Sequence, residues 1–535
     1  MMEGKLLISQ MMERAEKLFP KKEVISRTHS GIHRLTYKEI GERTRRLASA
    51  LENLGVERGD KVATLAWNDH RHLEAYFAIP GMGAVLHTIN IRLSAEHITH
   101  IINHAEDKVL LVDPMFLPLL EAIKDHIPTV KAFIIMTDEE LPDTPLSPIY
   151  SYEDLLLEAS PHFEFVKDID ENTPAGMCFT SATTGKPKGV VYSHRGITLH
   201  SLAMGLADSG GLSEADVCMA VVPMFHVNAW GLPFASTWFG TTQVMPGPSF
   251  TPELLAELIT SENVTITAGV PTIWLGLLKE LDANAERYDM SSLRAVLCGG
   301  SAAPMGMIRA FEEKHNIPFV HAYGMTETTP LVTLSRLKSY QEDLPTEEKL
   351  QIRAKQGCVV PGLEIKAVND DGDIEWNGQD MGELLVRGPW IADEYYKDDR
   401  TDEAFKDGWL HTGDIVTIDE EGTIKITDRT KDLVKSGGEW ISTIDLENAL
   451  MAHDAVFEAA VVGVPHPEWQ ERPVAAVVLK PGAVVDKAEL MEFLKPQFAK
   501  WWIPDDIIFM EELPKTSVGK FQKNALREKL QEHLV

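Results

Sequence analysis

From about Leu35 to Lys500 the chain alternates short apolar runs of strand type with helical patterns, and this alternation most limits the folds open to it. Lys61 to Trp67, Ala75 to Gly83, Lys108 to Asp113 and Leu117 to Asp125 illustrate it. Such an order favours an α/β architecture of mostly parallel strands under helices. At roughly 150 residues per domain, 535 residues correspond to two to four units, and 44% apolar residues provide for large cores. Two later stretches read as hairpins: Ile365 to Val368 with Asp373 to Trp376 around Asn369–Gly372, and Ile415 to Ile418 with Thr423 to Thr427 around Asp419–Gly422. Neither acidic turn has calcium-loop spacing with a closing Glu. After Asp428 the sequence becomes charged and Gly-containing (DRTKDLVKSGGEWIS), followed by a smaller αβ pattern and a Lys-rich tail, so a domain boundary is expected near Arg429.

Several classes of function are disfavoured. The net charge of −30 repels polyanions, so no nucleic-acid partner is expected, and any anionic ligand needs locally placed cations. The apolar stretch from Ala75 to Ile89 is interrupted by Pro80, Gly81 and Gly83, so no integral membrane segment is expected. Glu3, Lys5, Glu13 and Glu16 break up the amino terminus, which reads as lacking a secretory signal; the expectation is a cytoplasmic protein. Cys178, Cys218, Cys298 and Cys358 form no CxxC pair and read as small buried hydrophobes rather than a zinc site or disulfides.

Three constellations carry chemistry. Thr180-Ser181-Ala182-Thr183-Thr184-Gly185-Lys186-Pro187-Lys188-Gly189 follows the apolar Met177-Cys178-Phe179. Small hydroxylated residues and glycine let backbone N–H groups face a phosphate chain, and the lysines supply the local cations; the alternative is a plain polar turn. The GxxxxGK[ST] spacing of the P-loop is absent. His321-Ala322-Tyr323-Gly324-Met325-Thr326-Glu327-Thr328-Thr329-Pro330 again follows an apolar run. Here Glu327 suits Mg²⁺, Thr326 a phosphate oxygen, and Tyr323 a flat base, although a lone loop Glu is usually solvated. The third comprises Trp409 to Asp414, Asp428 to Asp432, Lys435 to Trp440, and Lys520 near the end. A carboxylate such as Asp414 suits paired sugar hydroxyls, and Arg429 a phosphate or an ion pair; a solvated charge run is the bland alternative.

Taken together these motifs closely resemble the adenylate-forming superfamily of acyl-CoA synthetases, adenylation domains and luciferases, and within it the medium- and long-chain fatty-acid CoA ligases, including the methylthioalkanoate type. The resemblance runs from Leu35-Thr36-Tyr37 to Lys520. It implies a large N-terminal α/β domain with mixed sheets and a β-rich subdomain over residues 1–428, a hinge at 429–431 including Lys431, and a small mobile C-terminal α+β domain over 432–535. ATP, Mg²⁺ and coenzyme A are the implied cofactor and co-substrates, with a carboxylic acid as the small-molecule partner.

The resemblance also distributes roles. Lys520, Thr184, Glu327 and His226 are the implied catalytic set, with Thr184 and Glu327 at the metal. Thr180, Ser181, Thr183, Thr184, Gly185, Lys188, Gly300, Ser301, His321, Ala322, Tyr323, Gly324, Thr326, Asp414, Arg429 and Lys435 would surround the nucleotide. His226, Val227, Trp230, Gly300 and Pro330 would line the acyl channel. Lys435, Gly437, Gly438, Glu439 and Trp440 would flank the pantetheine path and its gate. Trp274 stays a core aromatic. Ala182 stands where the family's phosphate loop usually has Gly, which stiffens the loop. A homodimer and peripheral membrane contact complete the expectations. The rival functions are loading of a carrier-protein thiol, oxidation of the adenylate as in luciferases, and a catalytically silent nucleotide sensor.

Overall fold

The structure is a computed structural model and describes residues 4–180, 186–436, 439–515 and 521–531. Four sheets organise them. A seven-stranded sheet runs Ile149–Ser151, Ala132–Ile135, Asp107–Val112, Lys61–Leu65, Val85–Thr88, Pro174–Phe179 and Gly189–Ser193, parallel except for the last pair. A nine-stranded sheet has five parallel pairings at its centre, joining Glu23–Thr28, Thr242–Met245, Val217–Ala220, Ile266–Gly269, Ala295–Cys298 and Phe319–Gly324, with antiparallel strands at both ends. The central strands are almost wholly buried and apolar, as expected of parallel strands covered on both faces.

The expected hairpins are present. Glu364–Asn369 pairs with Gly372–Asp373, and Trp409–Ile418 with Ile424–Arg429, within an antiparallel six-stranded sheet. The strand Ile424–Arg429 runs through the expected boundary. Beyond it, Val434–Ser436, Glu439–Ile441, Val456–His466, Gln470–Leu479 and Asp506–Phe509 form a five-stranded sheet with its own core, in which Val434, Leu446, Val461, Val477, Leu490 and Ile507 are buried. The chain thus has a large N-terminal α/β part with mixed sheets and a smaller C-terminal domain. Trp274 is fully buried, and its indole N–H donates to the Leu297 carbonyl at 3.1 Å, so the core reading of this tryptophan holds. The four cysteines are free; Cys178, Cys218 and Cys298 are buried and Cys358 is half-buried. Among the described residues no helix is long and apolar enough to cross a membrane.

Candidate active site

Several motif segments converge because they follow the carboxyl ends of strands. Thr180 follows Pro174–Phe179, Gly299 and Gly300 follow Ala295–Cys298, Met325 to Glu327 follow Phe319–Gly324, and the His226 segment follows Val217–Ala220. In open α/β sheets ligands bind outside these ends. Here they enclose a cavity of about 570 Å³, and a second of about 310 Å³ adjoins it at Gly300 and Tyr323.

The first cavity has a polar and an apolar end. At the polar end the Lys188 ammonium donates to the Tyr395 hydroxyl at 2.7 Å, and that hydroxyl donates to Glu327 Oε1 at 2.6 Å. Lys188 stands 3.8 Å from the same carboxylate oxygen. Partial burial pushes the Lys188 pKa down while Glu327 pulls it up, so a phosphate arriving beside it would favour the charged form. The foot of the phosphate-loop motif is closed by the Thr180 N–H donating to the Lys188 carbonyl (2.9 Å) and the Lys188 N–H donating to Thr180 Oγ1 (3.1 Å). The Tyr192 hydroxyl donates to the Thr326 carbonyl at 2.8 Å, fixing the backbone before Glu327. At the other end lie Met204, Leu232, Leu297, Leu331 and Leu334, members of one hydrophobic cluster with Trp230 packed against it, and Val227 also lines the cavity.

The segment carrying His226, Val227 and Trp230 has an unusual conformation. Residues 227–231 all have positive φ, from 44° at Val227 to 73° at Gly231. A left-handed turn suits Asn228 and Gly231, whereas Val227, Ala229 and Trp230 each pay about 1–2 kcal/mol. Hydrogen bonds fix the chain leading into the turn. Asn68 donates to the Val222 carbonyl (2.8 Å) and accepts from Met224 N–H (2.7 Å), and the buried Tyr76 hydroxyl donates to the Met224 carbonyl. The turn itself closes through Ala229 N–H to His226 O and Gly231 N–H to Asn228 O. Strain held by packing of this kind gathers at functional sites.

The second cavity is built around Asp414. Its carboxylate accepts from the Tyr323 hydroxyl at 2.6 Å and lies 3.2 Å from Arg429 Nε, its cross-strand partner. The Asp414 charge raises the Arg429 pKa further, so the guanidinium stays charged; burial, with Asp414 second, pushes the Tyr323 phenol well above its ordinary value. Gly324 is required for this packing, since a Cβ there would lie 1.8 Å from the Pro330 carbonyl. His321 is buried between the carbonyls of Ala354 and Ser301, and burial lowers its pKa.

Most expected site residues therefore meet. Thr180, Lys188, His226, Val227, Trp230, Gly300, Ala322, Tyr323, Gly324, Thr326, Glu327, Pro330, Arg429 and Lys431 line the first cavity; Ser301, His321 and Asp414 line the second. Lys435 lies on the exposed side of Val434–Ser436 and lines neither. Ser181, Ala182, Thr183, Thr184, Gly185, Gly437, Gly438 and Lys520 lie outside the described residues; Glu439 and Trp440 belong to a strand whose side chains are not described. Tyr395, Tyr192 and Asn68 were not identified from sequence. They act through tertiary hydrogen bonds, and no local spacing marks them.

Glu327 fits a magnesium ion that arrives with nucleotide phosphates, because Mg²⁺ commonly takes one or two carboxylates and keeps several waters. Among the described residues no group of three or more His, Cys, Asp or Glu could hold a metal ion by itself.

Comparison with known proteins adds the relationship. The AMP-binding enzyme family matches residues 12–396, and its C-terminal domain family matches 445–520. A long-chain-fatty-acid–CoA ligase of Thermus thermophilus is 51% identical over 99% of this chain and 96% of its own. A 3-methylmercaptopropionyl-CoA ligase of Ruegeria lacuscaerulensis is 43% identical over 100% of this chain and 99% of its own. The crystal structure of an anthranilate CoA ligase in complex with anthranoyl-AMP superposes with a TM-score of 0.87 at 25% identity, covering 99% and 98% of the two chains. This chain belongs to the AMP-binding enzymes, within the superfamily of adenylate-forming acyl-CoA synthetases.

Proposed function

We propose that the protein is an ATP-dependent fatty-acid-type CoA ligase: a carboxylate and ATP give an acyl-adenylate and pyrophosphate, and CoA then takes the acyl group with release of AMP. One observation carries this reading. A single cavity joins an apolar end, at Leu297, Leu331 and Leu334, to a polar end holding Lys188, Tyr395 and Glu327, so an aliphatic acid and a triphosphate can meet inside it.

A carboxylate is a poor acyl donor because oxide does not leave. Its oxygen attacks the α-phosphorus, pyrophosphate departs, and the mixed anhydride has a leaving group that a thiol can displace. The chain supplies charge neutralisation rather than a nucleophile. Lys188 and the hydroxyls of the phosphate-loop motif face the phosphates, Lys520 contacts the α-phosphate and carboxylate oxygens, and Arg429 holds charge beside Asp414. Tyr323 stacks on adenine while Asp414 accepts from the ribose hydroxyls. Glu327, with Thr184, would hold Mg²⁺, which supplies further neutralisation of phosphate charge when bound. His226, Val227 and Trp230 line the acyl path. Residues 1–428 and 432–535 act as separate bodies about a hinge at 429–431, and Lys435 to Trp440 come to the thiol path after rotation. In that orientation CoA reaches the adenylate while water stays excluded. A cytoplasmic homodimer is the proposed setting.

The relatives named for long-chain acids and for 3-methylmercaptopropionate support the reaction while leaving a wide range of acids. The test is thioester formation with ATP, Mg²⁺ and CoA across acids from propionate to palmitate. A CoA thioester with AMP is expected for an aliphatic acid. Activity only on a carrier-protein thiol, or no pyrophosphate release with any acid, would overturn the reading.

A further inference from the structure

Asp428 is the last residue before the proposed hinge, and the adenylation chemistry makes no use of it. It is the penultimate residue of the strand Ile424–Arg429 of the antiparallel sheet, yet its carboxylate is buried against the C-terminal domain. There it accepts from the Thr443 N–H at 2.7 Å and from Thr443 Oγ1 at 2.6 Å. Thr443 opens the helix Thr443–Met451, so the carboxylate also meets the positive end of the helix dipole. Lys523, which opens the helix Lys523–Leu530, donates to the same Thr443 hydroxyl and pairs with the buried Glu447 at 2.8 Å. Two contacts flank this core: the Ser442 hydroxyl to the Thr427 carbonyl at 2.6 Å, and Lys425 with Asp445 at 2.8 Å.

The orientation held this way turns Phe521, Gln522 and Lys523 toward Ser301 and Tyr323 across the second cavity. A rotation about 429–431 must draw the Asp428 carboxylate off the helix start, leaving a buried charge to find other donors. The carboxylate is therefore either docked or withdrawn, and such discrete alternatives are how a two-state element is biased.

We propose that Asp428 is a docking pin: a positioning residue that holds the C-terminal domain in the orientation for adenylation, acting through Thr443 and Lys523 rather than on substrate. This rests on the two-orientation ligase reading above. Two measurements separate the fates of the two ideas. In the first, Asp428→Asn and Asp428→Ala are compared with wild type in single-turnover pyrophosphate release and in thioester formation from supplied acyl-adenylate, alongside a thermal melt. Pyrophosphate release is expected to fall at least tenfold in Asp428→Ala and less in the isosteric Asp428→Asn, with thioester formation within about twofold of wild type. Equal losses in both half-reactions, or none in either, would overturn the pin. In the second, which needs no activity, the distance between spin labels at Tyr340→Cys and Val484→Cys, both exposed positions on the two bodies, is measured in each background. A second distance population is expected in Asp428→Ala; a distribution identical to wild type would overturn the pin even if the ligase reading stands. Absence of pyrophosphate release in wild type, with the second population present, would instead sink the ligase reading alone.

Discussion

Glu327, in the turn after the strand Phe319–Gly324, and Asp414, inside the strand Trp409–Ile418, are both buried carboxylates, and their different neighbours divide the site. Glu327 meets Tyr395 and Lys188, an arrangement that gathers positive charge and a hydroxyl at one place in the cavity. Asp414 meets the Tyr323 hydroxyl and Arg429, which places a carboxylate between a phenol and a guanidinium. Trp230 has a narrower berth: its ring edge would come within 3.1 Å of a Cβ at position 299, so Gly299 leaves the room it occupies. An aromatic wall of this kind discriminates by apolar contact. Trp230→Ala should reorder the preferred acids, with ratios of kcat/KM between short and long acids changing by about tenfold, and leave the ATP requirement nearly unchanged. An unaltered acid profile with a raised KM for ATP would take Trp230 out of the acyl path.

At the scale of elements, the strand–helix alternation could be read because parallel strands buried on both faces must be largely apolar, as Ala295–Cys298 and Ala132–Ile135 are. Motif residues were legible for a related reason: polar, glycine-containing turns after such strands stand out. The left-handed turn at 227–231 was not legible. Val227 and Trp230 favour other conformations, and the constraints are tertiary: Asn68 and Tyr76 fix Val222 and Met224 just before the turn, and the helix His194–Gly205 packs against Gly231. His200 of that helix packs so closely that a Cβ on Gly231 would lie 2.6 Å from its ring. Burial pushes the His200 pKa down to about 3, and those of His194 and His72 down to about 4. These imidazoles are neutral when folded and take up protons on unfolding once the pH falls below about 6.5. Their contribution to stability is complete above that pH and is lost as the pH falls toward 4 and 3. Asp69, raised by burial to about 6, works in the opposite sense by binding its proton in the folded state. The melting temperature should fall between pH 6.5 and 5. In His200→Gln the loss of unfolding free energy over this range should be shallower by up to about 1.4 kcal/mol per pH unit, since one fewer proton is taken up. Parallel stability–pH curves would show that His200 titrates normally in the folded state.

For the whole molecule, a chain of net charge −30 that handles two strongly anionic co-substrates must gather its cations locally, and Lys188, Arg429 and Lys431 line one cavity. The change of composition after Asp428 pointed to a second body, and the separate core around Val461 and Leu490 is that body. Its contact through Asp428 and Thr443 was hidden, because a pair of tertiary hydrogen bonds leaves no periodicity in the sequence. If rotation about 429–431 separates the two half-reactions, fixing φ at Lys431 should trap one of them. Lys431→Pro is expected to keep single-turnover pyrophosphate release, to lose at least tenfold in thioester formation, and to melt within a few degrees of wild type. Similar losses in both steps with a lowered melting temperature would make Lys431 structural.

The central claim is that a carboxylate oxygen attacks the α-phosphorus of ATP, and an isotope label tests it most directly. With an aliphatic acid carrying ¹⁸O in both carboxylate positions, the AMP released after CoA thioester formation is analysed by mass spectrometry. One ¹⁸O per AMP, with none in pyrophosphate, is the predicted result; label in inorganic phosphate, or unlabelled AMP, would contradict adenylation.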